Sequence, residues 1–128
     1  MKDAVDYLYH IKANVLGNPD VVNIDIVREE AIDELGLYRF RLKLTEDSLL
    51  EMYEHFSVQE DNVQVLKYSF YWQNSEGELK IRWDNAAHHL EILTHPHQVH
   101  EGSDNSILPG EPMNAEKVLL LIDARISG

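Results

Sequence analysis

A chain of 128 residues with 44% hydrophobic and 27% charged side chains can bury one core, and is too short for two ordinary domains. The absence of cysteine excludes disulfides, thiolate metal ligands and thiol nucleophiles, and the formal charge of −12 argues against broad, sequence-independent attraction to nucleic acid. The opening MKDAVDYLYH has Asp3 and Asp6 and no apolar run, and no stretch approaches the length of a bilayer span, so a cytoplasmic protein with no membrane partner is expected.

Asp3 is placed to cap a first helix in which Ala4, Leu8, Ile11 and Val15 recur at helical spacing, and Gly17-Asn18-Pro19 stops it. The period then changes to two. Val22, Ile24 and Ile26 alternate with polar residues; after a turn near Gly36, Tyr38, Phe40, Leu42 and Leu44 alternate with Arg39, Arg41 and Lys43. Thr45 to Ser48 turns into a third strand over 49–58, and Glu60-Asp61-Asn62 turns into a fourth, with Leu66, Tyr68, Phe70 and Trp72 on one side. Asn74 to Gly77 closes a hairpin onto a fifth strand with Leu79, Ile81 and Trp83. Leu90 and Ile92 suggest a short sixth strand, residues 101–113 read as a loop, and Asn114 caps a last helix with Val118, Leu119, Ile122 and Ile126 as its stripe. The expected architecture is one α+β domain over 1–128: a five- or six-stranded antiparallel meander whose apolar face is covered by both terminal helices.

The pleat predicts that Arg39, Arg41, Lys43, Lys67, Lys80 and Arg82 share the uncovered face, with Tyr53 and Tyr71 among them. Cations interleaved with aromatic rings suit phosphates and stacked bases. The simpler explanation is cross-strand pairing: Glu51 falls among these cations, and exposed pairs need no further purpose.

Five of seven histidines crowd into 88–100: His88, His89, His95, His97 and His100. They follow the fifth strand, where a rigid element passes into a polar Asp84-Asn85-Ala86-Ala87 corner. Histidines at such a place can serve as base and acid in metal-independent RNA cleavage, with Arg82 on the phosphate and Asp84 fixing one ring's tautomer. The alternative reading takes His95, His97 and His100 as metal ligands, although H-P-H-x-x-H is not a strong ligand spacing. The bland alternative has them packing on Trp72 or Trp83. His10 and His55 stand apart and are read as structural.

The run Tyr68-Ser69-Phe70-Tyr71-Trp72-Gln73, then Gly77-Glu78-Leu79, Arg82-Trp83-Asp84-Asn85-Ala86, His88-His89 and His95-Pro96-His97-Gln98-Val99-His100, resembles the TumE family of bacterial and archaeal toxin-like proteins. The resemblance is close over about residues 64–100. It departs at Ala87, where the family pattern has proline, and at Gln98, where it has a second histidine. It implies a small toxin of a toxin–antitoxin pair acting on RNA, with a DNA-binding, helix-turn-helix antitoxin as partner. The expectation is therefore a ribonuclease toxin with no cofactor and no metal. Its catalytic candidates are Arg82, Asp84, His88, His89, His97 and His100. RNA contacts are expected from Arg39, Arg41, Lys43, Lys67, Lys80, Tyr53 and Tyr71. A non-enzymatic interaction module and a histidine-liganded metal hydrolase are the alternatives, and a homo-oligomer stays open.

Overall fold

The structure is a computed structural model that describes residues 2–86, 96–102 and 106–127, and the side chains of these except 106–109. Helix α1 spans Ala4–Leu16; the Asp3 carboxylate accepts the amide of Asp6, and Gly17 closes the last turn onto Ala13. Strands β1 (Val21–Ile32), β2 (Leu35–Leu44), β3 (Leu49–Gln59), β4 (Asn62–Gln73) and β5 (Leu79–Asp84) follow. Two short strands, β6 (Gln98–Glu101) and β7 (Ser106–Pro109), come before helix α2 (Ala115–Ser127). Asn114 caps α2 by accepting the Lys117 amide.

All strands run antiparallel to their sequence neighbours in one sheet ordered β1 to β7. The α+β meander with two terminal helices is thus the observed fold. Its sheet is wider than expected, because β6 and β7 occupy parts of the segment read as a loop over 101–113 and of the histidine run. The strand expected at Leu90 and Ile92 lies outside the described residues.

Turn chemistry sets the register. Glu60 and Asp61 both take positive φ (52° and 65°), which a two-residue turn needs to match strand twist. The Asn74 side chain accepts the amides of Glu76 and Glu78, and Gly77 takes φ 82°. Both helices cover one face. Tyr38, Phe40, Leu42, Leu50, Met52, Phe70 and Trp72 are fully buried there against Ile11 and Val15 of α1 and Val118 and Ile122 of α2. Gly36 makes the close approach at the end of β2 possible, since a Cβ there would fall 2.6 Å from the Phe56 ring.

One expected core residue is on the surface. Leu66 is exposed because the β3–β4 register slips between His55 and Phe56, leaving Leu66 as the extra residue while Val65 turns inward. A buried carboxylate was also not anticipated. Glu54, fully enclosed, accepts the hydroxyls of Tyr7 (2.9 Å) and Tyr38 (2.7 Å). Burial pushes its pKa up to about 7 against the pull of those hydroxyls and of the Ala115 amide, with Glu116 pushing it further up. Burial and the Glu54 charge raise the Tyr38 phenol well above its ordinary value, and Tyr7 likewise.

Candidate active site

On the uncovered face the register aligns two cross-strand rows. The first runs Arg41, Glu51, Tyr71, Arg82, His100 from β2 to β6; the second runs Arg39, Tyr53, Ser69, Asp84, Gln98. Asp84 ends β5 and lies two residues beyond Arg82, so the pleat puts both side chains on this face. Strand β6 then brings His100 opposite Arg82 and Gln98 opposite Asp84.

The four side chains converge on the Asp84 carboxylate. Its Oδ1 accepts the Gln98 amide and the Ala86 backbone N–H (3.1 Å), and its Oδ2 is 3.1 Å from both Arg82 Nε and His100 Nε2. Asp84, Gln98 and His100 are buried, whereas the Arg82 side chain is 39% exposed. The hydrogen bonds to this buried carboxylate fall on Oδ1, while Oδ2 meets the guanidinium and the imidazole as close charge contacts only. His100 presents its Nε2 to Asp84.

His97 is placed elsewhere. Just before β6 it turns to the side of Tyr68, where its Nδ1 is 2.9 Å from the Tyr68 hydroxyl and its ring stacks on Tyr68 at 5.8 Å. Burial lowers its pKa, and burial raises that of Tyr68 to about 12. His97 meets Tyr68 and His100 meets Asp84, so these two rings do not converge on one point. His88, His89 and His95 lie outside the described residues, and no metal-binding cluster is found among the described ones. His10 bridges the helices by contacting Glu116, and His55 sits opposite Lys67 on β4.

The basic face is assembled with one departure. Arg39, Arg41, Lys43, Lys67 and Arg82 occupy the uncovered side, but the register slip between Trp72 and Gln73 lets Lys80 place its Nζ 3.9 Å over the Trp72 ring. Most of these cations are already paired. Glu51 contacts Arg39 and Arg41, Asp47 lies 3.7 Å from Lys43, Glu46 3.6 Å from Lys80, and Arg39 also packs on Tyr53. Lys67 alone of the six has no ion pair among the described residues. A depression of about 330 Å³ lined by Arg41, Leu49, Glu51, Tyr71 and Gln73 adjoins Arg82.

Gln98 was missed as a site residue because the sequence shows it only as a departure from a histidine pattern. Its spacing of two from His100 carried the signal, but a four-residue strand gives too little alternation to read.

The family model for the toxin TumE matches residues 11–126. The chain belongs to the TumE toxin family. No curated protein and no solved structure matches it. TumE membership makes the chain a toxin-family protein and implies an antitoxin partner. Arg82, Asp84 and His100, the cluster on the uncovered face, all lie within the matched span. Among the described residues no helix is long and apolar enough to cross a membrane.

Proposed function

We propose that this TumE protein is a cytoplasmic ribonuclease toxin that lays single-stranded RNA across its uncovered sheet face and cleaves it beside Asp84. The observation that carries this reading is the Asp84 carboxylate in contact with both an imidazole and a guanidinium where β5 ends. Asp84 orients His100, which takes the proton from a ribose 2′-hydroxyl. The 2′-oxygen bonds to phosphorus, the bond to the 5′-oxygen breaks, and the products are a 2′,3′-cyclic phosphate and a 5′-hydroxyl. Arg82, the exposed member of the cluster, holds the charge that builds on the phosphate. The proton for the 5′-oxygen comes from His88 or His89, which follow Asp84 by four and five residues. Tyr71, next to Arg82 in register, and Tyr53 offer rings for stacking, and Arg39, Arg41, Lys43 and Lys67 offer cations. A helix-turn-helix antitoxin is the proposed partner.

One observation favours a second reading. Asp84 and His100 are buried, as members of a structural network would be, and the basic face is largely neutralised by its own carboxylates. Those features suit an interaction module that acts by binding rather than by cleavage. Expression in a host without the antitoxin, with growth and RNA integrity followed, separates the two. His100→Ala and Asp84→Asn should each reduce cleavage on the order of 10²- to 10⁴-fold while the protein stays folded. Intact RNA alongside growth arrest by the unaltered protein would favour the interaction module.

A further inference from the structure

Strand β1 is an edge of the sheet, twelve residues long, with β2 on one side only. Long edges offer unpaired N–H and C=O groups and are usually blunted or covered. Here the edge coincides with exposed apolar side chains. Of the eleven large hydrophobic residues that stand exposed among the described residues, six lie at this corner: Val5, Tyr9 and Leu16 on the outer flank of α1, and Val22, Ile26 and Val27 on β1. A crevice of about 200 Å³ runs between α1 and β1 beneath Tyr9. Two of the three β1 carboxylates at the corner are paired, Glu29 with Lys12 and Glu30 with Arg28. In a chain of −12 overall, copies repel at long range, and this is a place where most of the negative charge is paired.

We propose that β1 pairs antiparallel with β1 of a second copy about a twofold axis between Ile26 and Val27. The edge carries its own complement. Pairing about that axis sets Asp25 opposite Arg28 of the second copy, twice, and Ile26 opposite its Val27. The two charged residues must share a face for this to work, and they do only because the β1–β2 register slips between Ile26 and Arg28. As a result Asp25 lies beside Arg41 and Arg28 beside Arg39, both on the uncovered side. Arg28 has Arg39 as its strand neighbour and contacts Glu30 of its own strand, and Asp25 of the second copy adds a carboxylate from the open side. A twofold axis perpendicular to the sheet keeps both helix layers on the same side. The two α1 flanks then meet over the joined strands, and Tyr9 and Leu16 of each copy cover those of the other. One symmetry operation therefore satisfies the open backbone edge, the apolar flank and the charge pattern together, as an isologous interface requires.

Sedimentation equilibrium of the purified chain should give twice 14.8 kDa. Asp25→Arg and Arg28→Asp should each weaken the dimer about tenfold or more, since each change creates two like-charge contacts. The double exchange Asp25→Arg with Arg28→Asp should recover most of the loss. Tyr9→Lys, on an exposed helix position that does not threaten the fold, should also dissociate the dimer, and Leu120→Lys on α2 should not. A monomeric chain, a dimer indifferent to Tyr9→Lys, or a double exchange that fails to recover would each overturn the proposal. So would a monomer whose β1 amides are protected from hydrogen exchange only when its antitoxin is bound, which would assign the edge to that partner instead.

Discussion

His97 and His100 are three residues apart and experience different surroundings. His100 faces Asp84 and Arg82 in a polar cluster; His97 stacks on Tyr68 and has its pKa lowered by burial. A histidine whose hydroxyl contact is to a core tyrosine contributes to packing. His97→Ala should therefore lower stability by about 1 kcal/mol, the scale of one lost hydrogen bond, and leave RNA cleavage close to that of the unaltered protein. Denaturant melts combined with a cleavage assay check both halves. A loss of cleavage without loss of stability would return His97 to the catalytic group. The sequence grouped these histidines because composition sees only their proximity. Their separation depends on β6 being a strand, which turns neighbouring side chains to opposite faces.

Glu54 shows how a single side chain ties five elements together. Its carboxylate takes hydroxyls from α1 and β2, sits on β3 opposite Tyr68 of β4, and faces the first turn of α2 with Ala115 and Glu116. Because its folded pKa is raised from 4.5 to about 7, the folded protein holds this proton more tightly than the unfolded chain does. The stabilisation is fully present below the unfolded value and declines as pH rises through about 7, by on the order of 3 kcal/mol for a shift of this size. Glu54→Gln keeps the oxygen that both tyrosines use and removes the charge. Its melting temperature should match the unaltered protein near pH 4 and exceed it at pH 8. Equal pH profiles for the two proteins would show that Glu54 titrates normally. None of this was legible in the pattern, since Glu54 occupies an inward position that alternation assigns to an apolar residue. The strands themselves were legible, because Tyr38 to Leu44 and Tyr68 to Trp72 alternate cleanly and their turns carry Asn, Asp and Gly.

Across the whole molecule, positive charge is segregated but not free. The pleat correctly gathers Arg39, Arg41, Lys43, Lys67 and Arg82 on one face, and the sequence already placed Glu51 among them. What it did not show is that Glu51 meets two arginines at once, or that a register slip diverts Lys80 to Trp72. On the proposed reading, with Lys67 unpaired among the described residues and Arg82 paired with Asp84 but 39% exposed, RNA binding should release few counterions. The plot of log affinity against log salt should have a slope of roughly −1 to −2, as two phosphate contacts to a single strand would give. A slope steeper than about −5 would mean that the paired arginines let go of Glu51 and bind the backbone as well.

The meander also orders events in time. Successive strands from β1 to β5 are joined by turns of two to five residues, whereas thirteen residues separate β5 from β6. Short closures are fast and entropically light; the longer one is slower and costs more. The Asp84 cluster straddles that one long closure, with Arg82 and Asp84 delivered by β5 and Gln98 and His100 by β6. The chain can thus complete the β1–β5 meander under α1 before the Asp84 cluster forms, and can lose the cluster without losing that part of the core. Native-state hydrogen exchange should show the β6 amides opening with a much smaller free energy than those of β3. Trp83, buried against Val99 of β6, should report that opening in its fluorescence while Trp72 stays silent. On the proposed ribonuclease reading, a cluster that assembles last leaves the folded chain harmless for part of its life.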